Sequence, residues 1–271
     1  MKTMCSAIVA LALACGGWMD ARAEAQSEVT LLAVGPMRAP TQKIIAGFEA
    51  KTGRKVKVTY GNGVETRRMV AKGQPLDVSI VIAPFPGALT SGTIVLNSAT
   101  PIASILTAVG VPKGRPKPDI STANAVKKAL LAAKRIGYED PDFTVAGQGP
   151  WEALTKLGIA DQVAAKSEVE LGPGAQGISP DATRNAIKTA TRLANGDIDF
   201  GMLMLSDMLP DKDKYDVVGV LPRSVSTPVP VVGFISTRAS DPAGATALLE
   251  YFASSDAQAI WKEAGYGPPE R

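Results

Sequence analysis

Residues 28–77 read EVTLLAVGPMRAPTQKIIAGFEAKTGRKVKVTYGNGVETRRMVAKGQPLD, and this stretch decides the fold. The continuous apolar run Val29–Val34 predicts a strand that is buried on both faces. Apolar residues at helical spacing then predict a helix over 41–51, and alternating charged and apolar residues predict a second strand over 55–60. A Gly-Asn-Gly turn precedes a second helix and a third strand within 64–83. This alternation of strands and helices predicts a parallel α/β sheet with right-handed crossovers.

The rest of the chain continues the alternation in a second unit. A strand-like run over 102–111 leads through a proline-rich segment into this unit, and two final helices follow a strand over 229–235. We expect those helices to return to the first unit, because a chain that crosses twice between two units forms a hinged cleft. We therefore predict an α/β fold with two lobes, each a mainly parallel sheet flanked by helices. The predicted bounds are 24–107 with 223–271 for lobe 1, and 108–222 for lobe 2.

The first 23 residues have the pattern of a cleaved secretory signal. A basic start at Lys2, an apolar run over 7–15 and an A-x-A sequence ending at Ala23 form this pattern. The apolar run is too short to span a bilayer, although a lipoprotein site at Cys15 stays a minority alternative. We expect cleavage near Ala23 and a periplasmic location. Both cysteines, Cys5 and Cys15, lie inside this signal, so the mature chain would have no thiol.

The composition excludes several kinds of site. The chain has no His, which excludes Ser-His-Asp and Cys-His nucleophilic sites and the usual zinc sites. We therefore expect no metal and no cofactor. Removal of residues 1–23 leaves 27 basic and 25 acidic residues, a net charge of +2 that gives no reason to expect a nucleic acid or a membrane surface as partner. We expect a monomer.

Four loops that precede helices, at 35–38, 61–65, 146–150 and 179–184, are candidates for the ligand site, and the third is expected to lead into a helix that starts at Pro150. In open parallel sheets the ligand cleft lies beyond the carboxyl ends of the strands, and helices that start there point N–H groups at it, which suits an anion. Each loop could equally be an ordinary turn or helix start, and Arg184 could pair with Asp181 instead of a ligand. The candidate residues are Gly35, Pro36, Met37, Arg38, Asn62, Gly63, Val64, Gln148, Gly149 and Arg184.

Several segments carry a resemblance to a known family. They are FEAKTGRKVKV at 48–58, TRRMVAKGQPLDVSIV at 66–81, WEALTKLGIAD at 151–161, ANGDIDFGMLMLSD at 194–207 and YFASSDAQAIWKEAGYG at 251–267. Together they resemble the periplasmic molybdate-binding proteins of ABC importers, a branch of the two-lobed solute-binding proteins. The resemblance implies a type II-like binding-protein fold, a small anionic ligand and an inner-membrane ABC permease as partner.

The chain departs from this family where the oxyanion would bind. The family's first loop places a Ser where this chain has Gly35-Pro36, its second loop is Ser-rich where this chain has Gly61-Asn62-Gly63, and its later Tyr falls at Met204. Unpaired oxygens in a closed cleft are costly, so these losses favour a carboxylate over molybdate.

An enzyme on the same scaffold is the alternative. Aconitate isomerase is similar to this family in fold, and its proton shift needs a base, which in a chain without His would be a carboxylate, a Lys or a Tyr. Glu65 and Asp207 are the candidates for that base, although Asp207 could simply cap a helix.

Overall fold

The computed structural model describes residues 28–171 and 187–270, which form ten strands and ten helices. The strands are β1 Val29–Val34, β2 Val56–Gly61, β3 Val78–Ile82, β4 Thr100–Ile105, β5 Thr107–Pro112, β6 Ile136–Glu139, β7 Ser167–Glu170, β8 Phe200–Met204, β9 Tyr215–Val220 and β10 Val229–Ile235. The helices are α1 Arg38–Thr52, α2 Gly63–Ala71, α3 Pro86–Thr90, α4 Ala123–Ala132, α5 Val145–Lys156, α6 Ala160–Ala164, α7 Thr189–Asn195, α8 Leu205–Met208, α9 Pro242–Ala253 and α10 Ser255–Glu263.

The opening stretch folds as the sequence predicts. β1 matches the apolar run residue for residue and is almost wholly buried. In α1 the apolar stripe Ile44, Ile45 and Phe48 faces the core. Gly53 ends the helix with a left-handed φ of 74°, a conformation that is costly for residues with a Cβ.

The strands form two separate five-stranded sheets with the same kind of order. One sheet has the order β2-β1-β3-β10-β4 and the other has β7-β6-β8-β5-β9. In each, three neighbouring strands are parallel, and a fourth strand, β10 or β5, runs antiparallel to both of its neighbours. Both sheets are therefore mixed, with one reversed strand among strands that otherwise share a direction. We call the unit around the first sheet lobe 1 and the unit around the second lobe 2.

The prediction of one strand over 102–111 is wrong, because two strands occupy this run. β4 pairs with β10 in lobe 1, whereas β5 pairs with β8 and β9 in lobe 2. Only Leu106 lies between them, so the chain stays extended while it passes from one sheet to the other. The hydrophobic pattern of a segment indicates which residues are buried but not which strands they pair with. It therefore does not reveal that the chain changes sheets at Leu106.

Helix α5 contacts both connections between the lobes, which we call the crossings: the one between β4 and β5 and the return crossing between β9 and β10. Leu221, on the return crossing, donates its N–H to the carbonyl of Thr107 at 2.9 Å. The carboxylate of Glu152 on α5 accepts bonds from the N–H and the hydroxyl of Thr227, both at 2.8 Å. Gly149, also on α5, lies against the side chains of Thr107 and Ser226.

Each lobe has its own hydrophobic core. The core of lobe 1 includes Leu31 and Phe48 together with Leu248, Phe252 and Trp261 of the last two helices. This confirms the prediction that α9 and α10 return to the first unit. The core of lobe 2 is built from α4, α5 and the strands β6 and β8.

The predicted signal, 1–23, lies outside the described residues. In the two ranges that the structure describes, we find no helix with the length and apolar character needed to cross a membrane.

Candidate functional site

A cavity of about 1330 Å³ lies where the carboxyl ends of strands from both sheets meet. Lobe 1 lines it with the segments that follow β1 and β2, and lobe 2 lines it with the segments that follow β6, β7 and β8. The starts of α2, α5 and α8 all reach the cavity wall. Helix amino ends carry partial positive charge, so this position favours a ligand with negative charge.

The start of α2 is closed by its own side chains. Asn62 accepts bonds from the N–H groups of Val64 and Glu65 at 3.0 and 2.8 Å. Glu65 accepts a bond from the N–H of Asn62 at 3.4 Å, which completes a capping box. The Asn62 oxygen and these N–H groups therefore bond to each other within the helix cap, and the Glu65 side chain stabilises the same cap.

Basic side chains of α2 and the residue after it form the lobe 1 wall of the cavity. Arg67, Arg68 and Lys72 all line it. Arg67 is half-buried and donates a bond to the carbonyl of Pro84 at 3.0 Å, which fixes the position of its guanidinium. Burial lowers the pKa of Arg67. This wall can bind a carboxylate or an oxyanion through charge-assisted hydrogen bonds.

Acidic side chains at adjacent strand ends form the lobe 2 wall. Glu139 ends β6, and Glu170, its register partner, ends β7. Asp207 lies in the first turn of α8, directly after β8, the other neighbour of β6. Lys188 is the basic residue that lobe 2 contributes to the described lining. The lining thus has opposite charge on its two sides.

Two of these carboxyls have strongly raised pKa values. Burial raises the pKa of Glu139 to about 7, with further contributions from the charges of Glu170 and Asp207. Burial also raises the pKa of Asp207 to about 6, although Lys188 opposes the shift. Titratable groups that are perturbed in this way cluster at functional sites, and this pair lies in a cleft.

The hydroxyls of Thr144, Ser206 and Tyr266 also belong to the described lining, and none of them lies in the first two loops, where the family places its own. Tyr266 is buried at the cavity and its hydroxyl is bonded to Ser206, while burial raises its pKa to about 12. The loss of the family's hydroxyls from the first two loops is therefore partly offset from elsewhere in the fold.

Helix α5 begins earlier than the sequence predicts. Residues 146–150 were expected to form a loop with Pro150 at the helix start, but the helix begins at Val145 with Thr144 as its N-cap. The Thr144 hydroxyl accepts the N–H of Gly147 at 3.0 Å. The expectation was wrong because these glycines serve close packing and not a turn. Gly147 lies against the chain at the end of β6, and Gly149 lies against Thr107 and Ser226 at the crossings.

The structure brings most, but not all, of the predicted site residues to the cavity. Gly35 and Arg38 are not part of the described lining: the Arg38 guanidinium is exposed and lies 3.9 Å from the centre of the Tyr60 ring. Gly149 lines a separate cavity of about 360 Å³ at the crossings. Arg184 lies outside the described residues. The predicted residues that line the main cavity are Pro36, Met37, Asn62, Gly63, Val64, Glu65, Gln148, Met204 and Asp207.

Sequence reasoning missed Glu139, Glu170, Lys188 and the basic wall of α2. Glu139 and Glu170 each end a strand, and the rule that ligands bind at carboxyl ends of parallel strands could have found them. Within the described residues, no group of three or more acidic side chains is arranged to hold a metal ion.

Comparisons with known proteins agree with this architecture. An aconitate isomerase of a Pseudomonas species is 23% identical over 255 residues, covering 91% of this chain and 90% of its own length. The molybdate-binding protein ModA of Azotobacter vinelandii is 24% identical over 261 residues, covering 95% and 96%.

Solved structures show the same fold. A substrate-binding domain assigned to a molybdenum ABC transporter of Clostridium difficile matches with a TM-score of 0.74 at 18% identity, over 90% of this chain and 99% of that one. The periplasmic molybdate-binding protein of A. vinelandii matches with a TM-score of 0.63 at 18% identity, over 90% and 100%. The family model of the bacterial extracellular solute-binding proteins matches residues 29–267, and the chain therefore belongs to that family.

Proposed function

We propose that this protein is exported, captures a small anion between its lobes and presents it to an ABC importer. The observation that carries the proposal is the cavity between the two sheets, where helix amino ends converge and Arg67, Arg68 and Lys72 form one wall. The ligand is an oxyanion or a carboxylate, and the three basic groups on one wall suit a ligand with several negative oxygens.

The remaining parts of the proposal follow from the fold and the family. The signal 1–23 directs the chain to the periplasm, where the mature protein acts as a monomer. The lobes keep the bounds expected from the sequence, 24–107 with 223–271 and 108–222, except that Thr107 begins β5 and so belongs to lobe 2, and the crossings act as hinges. Ligand contacts with both lobes favour the closed state, and the permease recognises that state.

A ligand panel tests this proposal. We would measure thermal shifts and titration calorimetry of the mature protein with molybdate, sulfate, citrate and trans-aconitate, and with thiamine as a cationic control. An anion should raise the melting temperature in a concentration-dependent manner by mass action. A shift with thiamine and none with any anion would contradict the proposal.

An isomerase is the second candidate function, and the pair Glu139 and Asp207 favours it. A general base works best when its pKa lies near the working pH, and both carboxyls meet this condition. In the reaction, one carboxylate takes a proton from a carbon next to a substrate carboxylate, the double bond shifts, and a carboxylic acid returns a proton to the carbon at the other end of the allyl system. No oxidant or reductant is needed.

Turnover separates the two functions. Ultraviolet absorbance would follow cis- or trans-aconitate incubated with the protein. For an isomerase, Asp207→Asn or Glu139→Gln should abolish turnover, whereas Asp142→Asn, at another acidic residue of the lining, should not. Binding of the substrates without turnover would leave the solute-binding function alone.

A further inference from the structure

The lobe 2 wall has the wrong charge for an anion unless it carries protons. Glu139 and Glu170 end two adjacent strands, Asp207 follows the strand on the other side of β6, and all three line one cavity. With all three ionised and Lys188 protonated, these four groups alone would carry a net charge of −2, and Asp142 and Asp211 of the described lining add further negative charge. An anion held between the lobes would then be repelled from one side, which opposes lobe closure.

Glu170 differs from the other two because its carboxylate is already engaged. It accepts the N–H of Thr189 at the start of α7 at 2.6 Å. The hydroxyl of Thr144 at the start of α5 donates to the carbonyl of Asp140 at 3.1 Å and lowers the pKa of Glu139. Lys188 lowers the pKa of both Glu139 and Asp207, so these two carboxyls share the influence of one positive charge.

The charged and polar groups that share the described cavity lining with this pair come from both lobes. Lobe 2 contributes the acids and the lysine, the last segment of lobe 1 contributes a tyrosine, and α2 contributes the opposite wall. They include Thr144, Asp142, Glu170, Lys188, Asp211, Tyr266, Glu65, Arg67, Arg68 and Lys72.

We propose that Glu139 and Asp207 hold a proton in the cleft and that the anion binds to this protonated pair, so that ligand capture is coupled to proton uptake. This inference rests on the proposed function and deepens it. Lobe 1 binds the ligand through cations, while lobe 2 binds it through a neutral carboxyl O–H that donates a hydrogen bond to a ligand oxygen. The favoured ligand thus offers acceptor oxygens on opposite sides, as a small polycarboxylate does.

The pKa values support the geometry. Glu139, at about 7, and Asp207, at about 6, are raised by burial and by neighbouring negative charge. The proton is therefore present below pH 6, and the pair loses it as the pH rises through 7. Anion affinity should follow the same curve.

Titration calorimetry with trans-aconitate and with sulfate, from pH 5.5 to 8.5, tests the coupling. Buffers with different ionisation enthalpies would report the number of protons taken up, after correction for the ligand's own titration. We expect uptake that approaches one proton above pH 7, and a Kd that rises about tenfold per pH unit there. A Kd that is constant over this range, or one that falls as the pH rises, would overturn the inference.

Substitutions identify the groups. Glu139→Gln is isosteric and keeps an N–H donor, so it should retain affinity at pH 8 and flatten the pH dependence. Asp142→Asn, the matched control on the same wall, should keep the wild-type slope. A Glu139→Gln variant with an unchanged slope would exclude this residue as the proton holder.

A measurement on the free protein separates this inference from the proposed function. Carbon-13 NMR of the side-chain carboxyls in wild type, Glu139→Gln and Asp207→Asn should show the Glu139 and Asp207 signals titrating between about pH 6 and 7. If neither probe binds but the titration is found, the proposed anion function fails while the protonated pair stands. If both signals titrate at ordinary carboxyl values, the inference fails whatever the ligand panel shows.

Discussion

Lobe 1 and lobe 2 share a strand order but line the cavity with opposite charge. In each lobe the reversed strand, β10 or β5, is inserted between strands that otherwise run in a common direction. The lobe 1 wall is basic through Arg67, Arg68 and Lys72, whereas the lobe 2 wall is acidic through three strand-end carboxyls. The comparison teaches that the chemistry lies in the residues just after the strands, which the shared framework does not dictate.

The largest expected effect comes from a pair of glycines at corresponding helix starts. Gly147 lies in the first turn of α5 in lobe 2, and a Cβ there would lie 2.5 Å from the carbonyl carbon of Asp140 and 2.6 Å from the nitrogen of Pro141. At Gly63 in α2 of lobe 1, the nearest atom would be a methyl of Val145 at 4.0 Å. Gly147→Ala should lower the free energy of unfolding by about 3 kcal/mol and Gly63→Ala by less than about 0.5 kcal/mol. Denaturant unfolding at pH 7 measures both, and equal losses would show that the two starts are packed alike.

The second prediction concerns the acidic wall alone. The folded-state pKa of Glu139, about 7, is above its ordinary value of 4.5, so the folded protein binds more protons than the unfolded chain between these values. Stability should therefore fall as the pH rises from 4.5 to 7, and the full cost should persist above 7. Glu139→Gln removes this cost and should stabilise the protein by about 2 to 3 kcal/mol more at pH 8 than at pH 5.

Unfolding by urea at the two pH values measures this difference. Glu65→Gln, at the exposed rim of lobe 1, is the control, and its effect should be similar at both. An equal change in the free energy of unfolding of Glu139→Gln at pH 5 and pH 8 would contradict a raised pKa of Glu139, and with it the electrostatic contrast between the two walls.

The third prediction tests the basic wall. Arg67→Ala removes a guanidinium that the carbonyl of Pro84 holds at the cavity. Loss of a charge-assisted hydrogen bond costs about 1.5 to 3 kcal/mol, so the affinity for trans-aconitate should fall roughly 10- to 100-fold. Calorimetry at pH 6 measures the loss. Lys43→Ala removes an exposed ion pair with Glu263 on the same lobe and should leave the affinity unchanged; a similar loss in both variants would point to a general charge effect.

The smallest effect compares the two helix caps. Asn62 caps α2 in lobe 1 and Thr144 caps α5 in lobe 2. Asn62→Ala should cost about 1 kcal/mol of unfolding free energy. Thr144→Ala should cost about the same at pH 5 and more at pH 8, because it removes a hydroxyl that lowers the pKa of Glu139. NMR titration should therefore show the Glu139 pKa rising further in Thr144→Ala and staying unchanged in Asn62→Ala.

The sequence predicts where helices and strands lie better than it predicts how they pair and pack. The bounds of β1, and the helix stop at Gly53, follow from local pattern and backbone preference. The break at Leu106 is invisible because both sides of it are extended and apolar. Pro150 misled the prediction of α5, since proline is common at a helix start but here lies within the helix.

The sequence predicted where the cavity lies but only some of the side chains that line it. Pro36, Asn62, Gln148 and Asp207 do lie at the cavity, because loops at the carboxyl ends of parallel strands converge. Their binding of a ligand stays a prediction. The perturbed carboxyl of Glu139 depends on burial and on charges from distant segments, and neither is encoded locally.

The position of β10 between β3 and β4 has a consequence for the order of assembly. All five strands of the second sheet lie in one continuous stretch, Thr107 to Val220, so this sheet needs no strand from elsewhere in the chain. The first sheet has a gap at its fourth place until Val229–Ile235 arrives. The amino-terminal half must therefore wait for the carboxyl-terminal half, and the middle of the chain can be native before either end is.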